Sequence, residues 1–167
     1  MKTKLSTYEI ETALANHFNC FTNIVVPNVK WGMNIHECDL LVLTKRDFLI
    51  EVEIKRLKSD LLHDLKKEHK HQDNRIRKFY FAITKNLLPH INVIPERAGI
   101  LIVRKNESNG YISVSKIRES KVLSKYKCTN EERIKLARLG ACRIWSLKKK
   151  IIKLRKEKEK WQRAMKN

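Results

Sequence analysis

Asp39, Glu53 and Lys55 are the residues of this sequence whose types and spacing are best suited to chemistry. Asp39 lies near the start of one apolar run, Glu53 lies near the end of the next, and Lys55 follows two residues later. Two carboxylates can hold Mg²⁺ or Mn²⁺, with the Ile54 carbonyl as a candidate third protein ligand. The lysine would orient or help to deprotonate a metal-activated water, or stabilise the phosphorane. The pattern therefore indicates metal-dependent phosphodiester hydrolysis.

A β-hairpin is predicted to bring these residues together. Residues 36–43 and 48–55 are apolar, β-like runs, and residues 44–47 have the composition of a turn between them. Such a turn places Asp39 close to Glu53 on the neighbouring strand. The hairpin geometry therefore favours joint metal binding by the two acids.

Side-chain alternation along the second strand defines the surroundings of the acids. Glu51, Glu53 and Lys55 fall on one face, whereas Val52 and Ile54 fall on the other, which we expect to be core. A salt-bridged strand pair on a solvated face is the alternative to a metal site. Glu51 is expected at the rim of the site rather than among its main ligands.

The remaining elements predict an α/β fold in which a mixed sheet is flanked by helices. The predicted order is α-β-β-β-α-β-β-β, followed by a long basic helix. Helices are predicted from residue 7 to about 18, 58 to about 71 and 130 to 161, with strands at 23–29, 36–43, 48–55, 78–83, 98–103 and 111–114. We divide the chain into an α/β domain, residues 1–120, and a basic helical extension, residues 121–167.

The charge of the chain indicates a polyanionic partner. Its 37 Lys and Arg against 18 Asp and Glu give a net charge of +19, which favours phosphate binding by counterion release. We favour nucleic acid over the alternative, an anionic membrane surface. No apolar run approaches the roughly 18 residues of a membrane span. Four widely spaced cysteines are typical of reduced thiols, so a cytoplasmic, nucleoid-associated protein is expected.

Asp39 followed by Glu53-Ile54-Lys55 resembles the signature of the PD-(D/E)XK nuclease superfamily, whose core the predicted element order also resembles. Within that superfamily, the chain looks most like the MmcB-type DNA repair group. The resemblance spans residues 7–104, and Cys38 replaces the family's proline before the first acid. The further matching positions are Ser59-Asp60, Asp64, Phe79 to Ile83 and Pro95 to Ile100.

This resemblance implies a restriction-endonuclease-like fold and a Mg²⁺- or Mn²⁺-dependent deoxyribonuclease of prokaryotic or phage type. Repair, recombination or phage DNA processing is the implied role. The resemblance also implies an acid on the first helix, for which Glu11 is preferred and Glu9 is the fallback. Glu51, Asp60 and Asp64 are secondary candidates. Alternatively, Asp60 compensates the helix dipole and Asp64 forms a surface pair.

Two basic segments are candidates for contact with DNA, whose single-stranded, duplex or branched form stays open. The spacing of His63, His69 and His71 is poor for a shared metal, so contact with phosphate or solvent is expected instead. A solvated charged helix is the alternative for the second segment. The candidate contacts are Lys66, Lys67, His69, Lys70, Lys148, Lys149, Lys150, Lys153, Arg155 and Lys156.

The long basic helix also carries a short apolar seam, formed by Ile144, Leu147, Ile151 and Leu154. This spacing predicts packing against the body of the protein or against a second subunit in a homodimer. Two functions compete with the nuclease: a DNA-binding accessory protein that does not cut, and an RNA-binding protein that uses the basic helix.

Overall fold

The computed structural model describes residues 5–64, 66 and 71–165. Six strands form one sheet in chain order, β1 to β6. The elements are α1 (Thr7–His17), β1 (Ile24–Val29), β2 (Cys38–Leu43), β3 (Leu49–Lys55), α2 (Lys58–Asp64), β4 (Ile76–Thr84), a 3-10 helix (Lys85–Val93), β5 (Gly99–Lys105), β6 (Ile112–Arg118) and α3 (Asn130–Ala164). The predicted α/β class and element order are confirmed.

The sheet is mixed, with its parallel part at the centre. β3, β4 and β5 run parallel, while β1–β2, β2–β3 and β5–β6 are antiparallel pairs. α2 connects β3 to β4, and the 3-10 helix lies between β4 and β5. The carboxyl ends of β3, β4 and β5 therefore meet at one edge, where ligand sites of α/β sheets commonly lie.

A separate core covers each face of the sheet. α1 buries Ile10, Ala13 and Leu14 against one face, and its start is fixed by a capping box between Ser6 and Glu9. The other face carries the larger core, which includes residues of α2, the 3-10 helix and the first turns of α3. With both faces covered, β2 to β5 are buried along most of their length.

The β2–β3 hairpin has the predicted register. Leu40 pairs with Val52 and Leu43 pairs with Leu49, so the strand geometry puts Asp39 opposite Glu53. The turn is closed by a 2.9 Å hydrogen bond from the Asp47 N–H to the Thr44 carbonyl. The predicted proximity of the two acids therefore follows from the hairpin.

Other boundaries differ from the predicted ones. α2 ends at Asp64 rather than near residue 71, and residues 65 and 67–70 lie outside the described part of the chain. β6 continues to Arg118 instead of ending at residue 114, because it pairs with β5 along that strand's whole length. All four cysteines lie in the described segments and are free thiols.

α3 is buried only at its beginning. Leu136 and Leu139 join Cys128 in the larger core, so part of the predicted extension packs with the sheet, and the domain boundary at residue 120 stays a prediction. The apolar seam farther along is 46–55% exposed, so its predicted packing against the body is wrong. Neither α3 nor any other helix in the described segments combines the length and apolarity of a membrane span.

Gly99 should be intolerant of any side chain. A Cβ there would lie 2.3 Å from the Tyr80 ring and 2.7 Å from the Ser120 backbone nitrogen. We expect Gly99→Ala to lower the free energy of unfolding by about 1–3 kcal/mol through overpacking, as measured by urea denaturation.

Gly140→Ala is the matched control for this substitution. Its Cβ would meet only the Val26 side chain, at 3.3 Å, and alanine favours a helix over glycine by about 1 kcal/mol. A Gly99→Ala protein that unfolds at the same urea concentration as the wild type would contradict the close Tyr80 contact.

Candidate active site

β3 carries a row of ionisable side chains into the larger core. Glu51, Glu53 and Lys55 are 0%, 2% and 6% exposed. In the parallel register, Glu51 and Glu53 stand beside Phe79 and Phe81 of β4. These side chains therefore do not lie on the solvent-exposed face that the alternative to a metal site required. Buried charges are costly unless they are paired or bind a cation, so the partners of this row decide what it can do.

Lys55 is held between two carboxylates. Its Nζ lies 2.8 Å from Glu53 Oε2 and 3.0 Å from Asp64 Oδ1. Burial alone would lower the pKa of Lys55, but the two carboxylates outweigh burial and raise it. The lysine is therefore a protonated hydrogen-bond donor at the end of β3.

The surface position expected for Asp64 is wrong. Asp64 is 2% exposed, because α2 turns it inward one turn after the buried Leu61. The first-turn residue Asp60 is exposed, as a helix-dipole role requires. Of the two secondary candidates on α2, only Asp64 reaches the charged row.

Asp39 and Glu53 converge at the end of the hairpin. The Asp39 N–H donates to Glu53 Oε1 at 3.3 Å, and the Ile54 N–H donates to Asp39 Oδ2 at 2.8 Å. Burial, followed by the nearby Asp39 charge, raises the pKa of Glu53 to about 7. A cation bound near these acids would reduce this repulsion. The Ile54 carbonyl stays a predicted ligand.

Glu51 is completely buried at the first position of the charged row, so the predicted rim position is wrong. Its Oε1 lies 2.8 Å from His36 Nε2 and 2.7 Å from His71 Nδ1. Burial would raise the pKa of Glu51, but the two histidine contacts outweigh it and lower that pKa. His71 Nε2 in turn lies 2.7 Å from Asp64 Oδ2.

Sequence reasoning missed both of these histidines. His71 is 2% exposed, and its carboxylate neighbours outweigh burial and raise its pKa to about 9. Its backbone has φ +52°, a left-handed conformation outside any helix, so helical spacing from His63 could not place it. His36 is the first residue of the predicted strand that contains Asp39, and this proximity could have indicated its place near the site. The solvent or phosphate contact expected for His71 is therefore wrong.

α1 distinguishes the two candidate fourth acids. Glu11 is half-buried, accepts a 2.9 Å hydrogen bond from Asn28, and has its pKa raised by burial and by the Asp39 charge. Glu9 instead caps α1 through Ser6 and bonds to Lys105 at 2.7 Å. The structure thus places Glu11 within the electrostatic reach of Asp39, while its supporting role stays a prediction.

The structure describes some of the basic residues that are candidates for contact with DNA. Lys66 is exposed, whereas Lys67, His69 and Lys70 lie outside the described residues. The exposed α3 candidates are Lys148, Lys149, Lys150, Lys153, Arg155 and Lys156.

A basic cleft that sequence analysis missed lies at the carboxyl ends of the parallel strands. Its volume is about 780 Å³, and its lining includes Arg56, Lys85, Arg104 and Lys105. Arg56 directly follows Lys55, so the cleft begins at the same sheet edge as the charged row. Arg56 and Lys85 immediately follow parallel strands, and Arg104 and Lys105 are the last two residues of another, so the fold brings them together.

Comparison with known proteins supports the fold. No family model and no curated protein matches the chain. A solved structure, the SPO1766 protein of unknown function from Silicibacter pomeroyi, is similar to it with a TM-score of 0.63 and 15% sequence identity. The similarity covers 87% of this chain and 94% of that one. This chain therefore shares its fold with that protein.

Proposed function

We propose that this protein is a Mg²⁺- or Mn²⁺-dependent DNA endonuclease. The observation that carries the proposal is the contact of Asp39 with Glu53 beside Lys55, where burial and then the Asp39 charge raise the pKa of Glu53 to about 7. A pair of acids next to a protonated lysine suits a cation and a phosphate together. Repair, recombination or phage DNA processing is the proposed setting, with association to the nucleoid.

Each residue has a separate proposed task. Asp39 and Glu53 would hold the ion, with the Ile54 carbonyl as third ligand, and Asp39 is oriented by its bond from the Ile54 N–H. When bound, the ion supplies an activated water and charge neutralisation at the phosphate. Lys55 donates hydrogen bonds toward phosphate or water from a position fixed by Asp64. Glu11 adds negative charge beside Asp39.

DNA is the proposed substrate because positive charge lies at the sheet edge where β3 ends. The cleft lined by Arg56, Lys85, Arg104 and Lys105 starts at the same sheet edge. α3 adds a solvent-exposed row of lysines and arginines. Its exposed apolar seam supports the further proposal of a homodimer formed through this helix.

A binding protein that does not cut is the second candidate function. Lys55 is already bonded to Glu53 and Asp64, and its side chain is only 8% exposed. A buried ion network of this kind also serves a purely structural role. The same basic surfaces would then bind DNA or RNA without hydrolysis.

Removing either the lysine or the acid should abolish cutting. We expect Lys55→Ala and Glu53→Gln to lower the rate of DNA cleavage at least ~100-fold, because each removes a group that acts on the reacting phosphate. The measurement is a gel assay on single-stranded, duplex and branched DNA, with Mg²⁺, Mn²⁺ or EDTA.

Asp60→Asn is the control for this assay, since Asp60 is acidic, exposed and on the neighbouring helix. It should cut at the wild-type rate. Circular dichroism checks that Lys55→Ala and Glu53→Gln are folded. DNA binding without cutting by any form, wild type included, would reject the nuclease in favour of the second candidate.

The α3 lysines should contribute to DNA affinity without contributing to stability. Replacing Lys148, Lys149 and Lys153 by Gln should reduce the salt dependence of binding, log K against log salt, by up to ~0.9 per lost phosphate contact. The unfolding midpoint should not change, because all three side chains are exposed. Fluorescence anisotropy at several salt concentrations measures the slope, and an unchanged slope would show that DNA binds elsewhere.

A further inference from the structure

A second group of potential metal ligands lies at the middle of β3. His36 Nε2, a Glu51 carboxylate oxygen and His71 Nδ1 all lie within 4.8 Å of one another. Both imidazoles approach the same carboxylate oxygen, Glu51 Oε1. The other oxygen, Oε2, is buried and has no hydrogen-bond partner among the described residues. Leaving a carboxylate oxygen unpaired in the core is costly, so the cluster is incomplete as a hydrogen-bond network.

His71 can offer one ring nitrogen to a metal while the other stays bonded to a carboxylate. Its Nε2 lies 2.7 Å from Asp64 Oδ2, and a carboxylate oxygen accepts hydrogen bonds. Nδ1 likewise lies 2.7 Å from Glu51 Oε1, so without a metal both ring nitrogens donate to carboxylates. A metal bound at Nδ1 would replace the proton there, while Nε2 keeps its hydrogen bond to Asp64. Metal-bound histidines characteristically donate their other N–H to a carboxylate in this way.

The ring of His71 is also fixed in place. It stacks on Phe79 with the ring centroids 4.8 Å apart and the planes 13° apart. Its left-handed backbone, φ +52°, is uncommon for a residue other than glycine and costs energy that the contacts of the ring must offset. Pre-positioning of this kind is what a metal ligand requires.

Two imidazoles and one carboxylate indicate a transition metal rather than Mg²⁺. Mg²⁺ prefers oxygen ligands, whereas Zn²⁺ binds histidine nitrogen and carboxylate oxygen readily. Glu53, Asp64 and His71 form an overlapping group, but it has one imidazole where the group around Glu51 has two. The group around Glu51 is therefore the better candidate for a Zn²⁺ site that includes His71.

We propose that His36, Glu51 and His71 bind one Zn²⁺ ion, at a site separate from Asp39 and Glu53. The ion joins three segments: the loop before β2, strand β3 and the chain after α2. Because His36, Glu51 and His71 are 10%, 0% and 2% exposed at the side chain, the ion stabilises the walls of the charged row. This site does not depend on whether the protein cuts DNA.

Zinc titration of EDTA-treated, dialysed protein tests the proposal. Isothermal calorimetry should show one Zn²⁺ per chain, and Zn²⁺ should raise the midpoint of thermal unfolding. His36→Gln keeps a donor toward Glu51 but removes the imidazole, and should weaken Zn²⁺ binding at least ~10-fold, the lower end of the loss typical for altered metal sites. His63→Ala is the control, since His63 is exposed.

X-ray absorption on the zinc-loaded wild type provides a test that does not depend on a variant folding. It should show two imidazoles and otherwise only oxygen or nitrogen ligands. No stoichiometric zinc, equal affinity in His36→Gln, or a sulfur ligand would overturn the proposal. Lys55→Ala should retain zinc binding, so loss of cleavage in that variant with zinc still bound separates this site from the nuclease.

Discussion

The structure depends on the burial of three ionisable residues of one strand in a hydrophobic core. Glu51, Glu53 and Lys55 lie beside Phe79 and Phe81, where isolated charges would be strongly unfavourable. Partners must therefore come from other segments of the chain. His36 from the loop before β2, Asp64 from α2 and His71 from the segment before β4 supply them. The charged row thereby determines how these segments pack on the sheet.

The charges are not compensated equally along the row. At Glu51, two histidines outweigh the cost of burial and lower the pKa of the acid. At Glu53, the nearby Asp39 adds to that cost, and Lys55 compensates only part of it, so the pKa rises to about 7. The negative charge of Glu53 is thus less well compensated than that of Glu51. The basic cleft lies at the same sheet edge as the end of β3, at the carboxyl ends of the parallel strands.

Local sequence patterns were sufficient to predict the β2–β3 hairpin, but not the residues that contact its buried charged side chains. The two apolar runs and the turn between them predicted that Asp39 stands opposite Glu53, because strand register follows from alternation and turn length. Glu51 was expected at the rim because charged residues are seldom fully buried. Its burial depends on His36 and His71, which reach it through tertiary packing. The left-handed backbone at His71 breaks the helical spacing on which its prediction relied. The 3-4 spacing of the α3 seam predicted packing against the body or a second subunit, and its exposure excludes only the first.

Anomalous diffraction from crystals soaked in Mn²⁺ would locate the ion on which the proposed hydrolysis depends. We expect an anomalous peak bounded by the carboxylates of Asp39 and Glu53, at the end of the hairpin. The result that would contradict the proposal is a well-ordered site in which no peak lies between these two acids and Glu53 is still bonded to Lys55. In that case the charged row would be a structural network, and the basic surfaces would serve binding alone.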